Sequence, residues 1–249
     1  MRTTDAILFD AVLFDMDGTV LNSIKAAERI WTTWALRHGI DVEAFLPTIH
    51  GVRAVETIRR LGLPGVDPEV EAGAITQAEI EDVDGIEEIA GAAGFLAALP
   101  PDRWAVVTSA PRTLALRRIA AAGLPTPPLL VGAEDVERGK PAPDCFQLAA
   151  ERLGTTADRC LVVEDSPAGI AAAVSAGASV LVITATHHAA AGATAVDAGH
   201  AAIRDYRDLA ISRLADGSLS IRAAQGGGLP SNASPVRLSY GLRASSERG

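Results

Sequence analysis

Short, uniformly apolar runs that close on a carboxylate or a hydroxyl constrain this chain more than any other feature. Residues 6–15 (AILFDAVLFD) end on Asp15, residues 104–108 lead through Thr108 to Ser109, and residues 160–163 run directly into Glu164 and Asp165. Between them, apolar residues recur at helical spacing. Ile24–His38 is expected to be a helix closed by Gly39, and Val52–Leu61 one ended by Gly62 and Pro64. Others are expected over 68–83, over 91–99, after Pro111, over 143–153 closed by Gly154, and over 167–176 closed by Gly177. Short strands are expected at 129–131, 179–183 and 201–203. Strands that are apolar on both faces need cover on both faces, which is the situation of a parallel sheet between helical layers. The expected fold class is therefore α/β. Residues 1–19 and 89–221 form the sheet core, and residues 20–88, with helices and no convincing strand, form a second, inserted domain. After Ile221 the periodicity lapses into Gly, Ser and Pro, so 222–249 reads as a disordered tail.

Composition narrows the function classes. With 249 residues, 48% of them hydrophobic and a mean hydropathy of +0.21, the chain can bury a sizeable core in one or two domains. The net charge of −9 is unevenly placed: nine carboxylates between Asp67 and Glu88, with no Lys or Arg among them, equal the whole excess. That run reads as a solvated helical surface. No basic stripe is present, which argues against a nucleic-acid partner or an anionic membrane surface. No run reaches the ~18 apolar residues of a membrane span, and MRTTDAILFD does not resemble a secretory signal, so a cytoplasmic protein is expected, as a monomer or homodimer. Cys145 and Cys160 sit in apolar stretches and are expected to be buried thiols. The glycosylation-like Asn232-Ala233-Ser234 is taken as coincidence in this setting.

Ligands of open α/β sheets bind beyond the carboxyl ends of the strands. That rule gathers Asp15, Asp17, Thr108, Ser109, Glu164 and Asp165, with Lys140 from the loop at 138–141. Crowded carboxylates repel one another unless a cation lies among them, and hard oxygen ligands suit Mg²⁺. A lysine and hydroxyls beside such a cation suit a phosphate group. The side chains alone thus describe a magnesium-assisted phosphoryl-transfer site with a small phosphorylated metabolite as partner. Two other motifs fail on inspection. Gly139-Lys140 lacks the glycine spacing and the following Ser or Thr of a nucleotide-binding loop. His187-His188 are adjacent and share no face, so they read as loop residues rather than a metal pair.

Four segments, AVLFDMDGTV (11–20), VVTSA (106–110), GKPAPDCF (139–146) and LVVEDSPAGI (161–170), resemble the four ordered motifs of the haloacid dehalogenase superfamily. The resemblance spans roughly residues 6–221 and implies a Rossmann-like core with an inserted helical cap. It also implies roles. Asp15 is the nucleophile that forms an aspartyl-phosphate, and Asp17 is the acid and then the base. Mg²⁺ is held by Asp15, the Asp17 backbone carbonyl and Asp165, with Glu164 as a direct ligand or behind the ligands. Thr108, the Ser109 amide and Lys140 hold the phosphoryl oxygens, while Gly18 and Thr19 shape the turn. Singly, Asp17-Gly18 could be an ordinary turn and Asp165-Ser166-Pro167 an ordinary helix cap; four motifs in order at one sheet edge make those readings untenable together.

Within the superfamily, an acid at Asp17 favours phosphate chemistry over dehalogenation, since a halide leaves without a proton. Sugar-phosphate mutases resembling beta-phosphoglucomutase carry a histidine where this chain has Ala27 and a cap arginine where it has Ala54. The segment IHGVRAVETIRRL (49–61) is instead similar to the sugar and polyol phosphatases that act on 2-deoxyglucose-6-phosphate and glycerol phosphate, as are residues 81–99 and 131–144. On that resemblance His50 and Arg53 face the substrate and contact its hydroxyls or phosphate when the cap closes; otherwise His50 caps a helix and Arg53 is a solvated helical residue. The expectation is a Mg²⁺-dependent sugar or polyol phosphatase. A mutase and a catalytically silent metabolite-binding module are the alternatives.

Overall fold

A computed structural model describes residues 7–187 and 199–223. The first apolar run is split. Ile7–Phe9 (β1) and Ala11–Phe14 (β2) are separate strands. Between them the Asp10 carboxylate accepts the Arg159 guanidinium at 2.5 and 2.8 Å and the Thr155 hydroxyl at 3.0 Å. A polar pin inside an apolar run ends one strand and starts another, so the single strand expected over 6–15 is corrected to two.

Leu21–Asn22 (β3) is followed by helices Ile24–Arg37 (α1), Val42–Phe45 (α2), Ala54–Leu61 (α3) and Pro68–Glu81 (α4), then by Glu87–Glu88 (β4). Ala92–Ala97 (α5), Trp104–Val107 (β5), Arg112–Ala121 (α6), Leu130–Val131 (β6), Asp144–Arg152 (α7), Cys160–Glu164 (β7), Pro167–Ser175 (α8), Ser179–Ile183 (β8) and Ala201–Ile203 (β9) come next. Leu209–Arg213 (β10) and Leu219–Ala223 (β11) complete the described elements.

The central sheet has six strands in the order β6-β5-β2-β7-β8-β9, all parallel. From β2 the chain travels outward to β5 and β6, then returns to β7 on the other side of β2. Such a reversal opens a crevice at the strand ends. Side chains alternate between the two faces. Val12 and Phe14 join one buried layer with Val106, Leu161 and Val163; Ala11 and Leu13 join the other with Ala105, Val107 and Val162. The parallel α/β class expected from the apolar runs is the one observed.

Two expectations about strands need correction. The helical insertion is bounded by β3 and β4, which pair antiparallel in a two-residue ribbon, so residues 20–88 do contain strand. The region after β9 also carries a hairpin, β10 with β11, and β11 pairs with β1. This sheet differs physically from the parallel core. Leu219 and Ile221 are buried while Arg213 and Arg222 are exposed, and Asp216-Gly217, with Gly217 at φ +86°, makes the turn. Residues 222 and 223 therefore belong to a strand; the remainder of the expected tail, Asn232 included, and His188 lie outside the described residues.

The insertion has its own apolar centre of Trp31, Trp34, Phe45, Ile58 and Ile75, with the two indoles edge to face at 5.6 Å. Asp41 and Asp67 cap α2 and α4 by accepting backbone N–H groups. The acidic run is not simply a solvated face. Asp82 pairs with Arg29 at 2.7 Å, Glu69 with Arg59 at 2.7 Å, and Glu71 with Arg37 and the Trp34 indole. Glu79, only 7% exposed, pairs with Arg118 of α6 at 3.1 Å. Among the described residues no helix is long and apolar enough to cross a membrane.

Candidate active site

Because β2, β5 and β7 are neighbours, their carboxyl ends deliver Asp15, Thr108, Glu164 and Asp165 to one edge of the sheet. Lys140 arrives on the loop between β6 and α7. It is 2% exposed, and its ammonium donates to Asp15 at 2.5 Å, to Glu164 at 2.8 Å and to the Val107 carbonyl at 3.1 Å. Glu164 is fully buried. One of its oxygens takes Lys140; the other takes the Asp165 and Ser166 amides and the Ser166 hydroxyl at 2.8–3.0 Å. Both oxygens are thus occupied by the protein itself. Asp165 accepts the hydroxyls of Thr19 and Thr186, each at 3.4 Å, and its carbonyl meets His187 Nε2 at 2.9 Å.

Carboxylate oxygens of Asp15, Glu164 and Asp165 lie within 4.8 Å of one another. Burial, reinforced by the Glu164 charge, pushes the Asp15 carboxyl up to about 7 even though Lys140 pulls it down. Burial and the charges of Glu164 and Asp15 raise Asp165 well above the ordinary carboxylate range. Burial alone would lower Lys140, but the Asp15 and Glu164 carboxylates hold it above its usual value, so it stays protonated. One ammonium against three carboxylates leaves negative charge in excess, which is the electrostatic signature of a cation pocket. Gly18 keeps that pocket open: it stands at φ +86°, and a Cβ there would lie 1.9 Å from Asp165 Oδ2.

Asp17 sits beside this cluster with its carboxylate turned to other partners. Oδ1 accepts the Ser23 hydroxyl at 2.5 Å and Arg118 Nη1 at 3.0 Å. Thr108 is buried, with its N–H on the Val131 carbonyl and its hydroxyl accepting the Ala110 N–H. The Ser109 hydroxyl donates to the Gly51 carbonyl at 3.0 Å and so joins the sheet edge to the helical insertion.

A cavity of about 570 Å³ opens above the cluster, lined by Asp15, Asp17, Thr108, Ser109 and Asp165 at one end and by residues of the insertion at the other. His50 lines it, 3.9 Å from Glu28, and desolvation holds its imidazole below the ordinary value against the pull of Glu28. Arg53 does not line it. Its guanidinium donates to the Val136 and Glu137 carbonyls at 2.8 and 2.9 Å and packs on Gly139, so it braces the Lys140 loop instead of facing the cavity as expected. His187 lies in a loop, as expected, just after a turn that its N–H closes on the Thr184 carbonyl, yet it lines the cavity.

Sequence patterning did not single out Arg118, Glu79, Ser23 or Thr186, and it set His187 aside as a loop residue. A signal for Arg118 does exist. Leu114, Ala115, Arg118 and Ile119 form one buried stripe on α6, and an arginine on the apolar stripe of a helix needs a buried acidic partner.

Residues 9–177 match the model of the haloacid dehalogenase-like hydrolases. The chain is 40% identical to hexitol phosphatase A of Escherichia coli over 70% of its own length and 82% of that protein's. It is 30% identical to 2-deoxyglucose-6-phosphate phosphatase 1 of Saccharomyces cerevisiae, over 72% and 81% respectively. A crystal structure of a hydrolase from Pseudomonas syringae superposes with a TM-score of 0.63 at 25% identity, covering 71% of this chain and 84% of that one. The four motifs, the parallel sheet and the cluster at its edge therefore agree with the family model: the chain belongs to the haloacid dehalogenase-like hydrolase family.

Proposed function

We propose that the protein is a Mg²⁺-dependent phosphatase acting on a small sugar or polyol phosphate monoester through an aspartyl-phosphate on Asp15. The observation that carries the proposal is the cluster of Asp15, Lys140, Glu164 and Asp165 opening into a cavity whose largely apolar walls carry a few placed polar groups. Its uncompensated negative charge fits a hard divalent cation. Asp15, Asp165 and the Asp17 carbonyl would hold Mg²⁺, and Glu164, already saturated by Lys140 and backbone N–H groups, would steady that arrangement from behind. When bound, the cation supplies positive charge opposite the phosphoryl oxygens.

The chain's own groups then divide the work. An oxygen of Asp15 attacks phosphorus as the ester P–O bond breaks, and the leaving oxygen takes a proton from Asp17. In the second step Asp17 removes a proton from water, which attacks the same phosphorus and frees Asp15. Lys140, the Thr108 hydroxyl and the Ser109 amide bind the phosphoryl oxygens where negative charge grows. Residues 20–88 act as a cap whose closure excludes water from the first step and whose opening admits it to the second.

The far wall favours an uncharged, hydroxyl-rich leaving group. It sets Glu28, Glu43, His50 and Thr76 among apolar residues that include Trp31, Leu46 and Ile49. Ala27 and Ala54 line the same cavity, so the positions that carry a histidine and an arginine in the mutases present only methyl groups. The carboxylates would repel a second phosphate, which weighs against the mutase reading. The names of the relatives, phosphatases of a hexitol and of 2-deoxyglucose-6-phosphate, point the same way. We place the enzyme in the cytoplasm. The test is a phosphate-release screen over sugar, polyol and nucleotide monoesters with Mg²⁺. Sugar or polyol esters are expected to lead; a wide margin for nucleotides, or turnover only with a bisphosphate primer, would refute the assignment.

A further inference from the structure

A chain of Glu79, Arg118 and Asp17, buried at its first two members and open to the cavity at Asp17, crosses from the inserted helices to the sheet edge. Arg118 on α6 is 5% exposed; its Nη1 donates to Asp17 Oδ1 at 3.0 Å and its Nη2 meets Glu79 of α4 at 3.1 Å. Asp17 Oδ1 also receives the Ser23 hydroxyl. Oδ2 takes no hydrogen bond from any described residue.

A carboxyl oxygen that already accepts two donors is a poor seat for a proton, because the proton would have to displace one of them. Two donors on Oδ1 also fix the rotation of the carboxyl group. From this geometry, we propose that Arg118 is a positioning residue, tethered by Glu79, that pins Oδ1 and so assigns the transferable proton to Oδ2. The inference rests on Asp17 acting as the acid in the proposed phosphatase reaction. As Asp15 forms its bond to phosphorus and the ester P–O bond breaks, its electron pair goes to the leaving oxygen, and that oxygen receives the proton from Oδ2. Because Glu79 belongs to the insertion and Arg118 to the core, the aim of Asp17 depends on the insertion being seated.

A residue that only supports the fold depresses every substrate alike, whereas one that aims the acid matters only where the leaving group needs a proton. The experiment is kcat/KM of wild type, Arg118→Lys, Arg118→Met and Glu79→Gln on a hexitol phosphate and on 4-nitrophenyl phosphate, whose phenolate leaves unprotonated. kcat/KM reports the steps through the first phosphoryl transfer, and the quotient of its values for the two esters is unaffected by how much of a preparation is folded, since both are read on the same sample. The expected result is a loss of roughly tenfold to 10²-fold on the hexitol ester, with 4-nitrophenyl phosphate changed by less than about threefold. Arg118→Lys, which keeps the charge and loses the fork, is expected to show the same bias. Equal losses on the two esters in Glu79→Gln and Arg118→Lys would overturn the inference and leave the phosphatase reading intact. No turnover of either ester by wild type would refute the phosphatase reading and the inference with it.

Discussion

Replacing Asp15 should stabilise the metal-free protein. Asp15 is 5% exposed, and burial together with the Glu164 charge raises its carboxyl from the ordinary 3.8 to about 7. In the unfolded chain the proton leaves near the ordinary value; in the folded chain it is retained up to about pH 7. The folded state therefore binds more protons across that window, and stability falls as pH rises through it, levelling off above. A raise of about three units at 1.36 kcal/mol each costs about 4 kcal/mol in full, of which roughly 2–3 kcal/mol is lost between pH 5 and pH 8. Asp165 adds to the fall in the same direction. Asp15→Asn removes the charge while Lys140 keeps Glu164 and the Val107 carbonyl. Urea unfolding followed by circular dichroism, with chelator present, is the assay. At pH 8 the variant should exceed wild type by about 2–4 kcal/mol, the gap should narrow at pH 5, and added Mg²⁺ should stabilise wild type more than the variant. A variant no more stable than wild type at pH 8 would refute the claim that the cluster carries uncompensated charge.

Three further outcomes are expected. Gly169→Ala would bring a Cβ to 1.5 Å from Glu164 Oε1 and displace the anchor of Lys140, so urea unfolding should show a loss of roughly 1–3 kcal/mol and phosphate release should fall with it. His50→Ala should raise KM several-fold for a polyol phosphate and leave kcat within about twofold, because His50 lines the cavity without touching Asp15; steady-state kinetics reads the split. Burial pushes the Cys160 thiol up to about 12 and raises Cys145 as well, so mass spectrometry should find neither alkylated until the protein is unfolded.

What was legible in the sequence followed from position along the strands. Asp15, Thr108, Glu164 and Asp165 each sit where an apolar run ends, and a parallel sheet sends every such end to the same edge, so their convergence needed no contact information. The hairpin β10–β11 was illegible for the opposite reason: it is covered unevenly, and its alternation over five residues per strand is weaker than a wholly apolar run. Glu79 lies in an acidic stretch that reads as solvated, and its partner Arg118 is 39 residues away in another helix. Arg53 shows the limit of a motif. Its place in the segment at 49–61 suggested a substrate contact, whereas its guanidinium reaches carbonyls more than 80 residues further along the chain. Pairings of this kind are set by helix packing, which the spacing of residues in one segment does not encode.

The central claim is that hydrolysis passes through a phosphoryl group on Asp15. It is tested most directly by acid-quenching the enzyme with a hexitol phosphate and Mg²⁺ during turnover and weighing the peptide that contains Asp15. The expected result is a phosphoryl mass increment on that carboxylate in wild type, lost on treatment with hydroxylamine and absent from Asp15→Asn, which should release no phosphate. Undiminished phosphate release by Asp15→Asn, or a phosphoryl group on any other residue, would contradict the account.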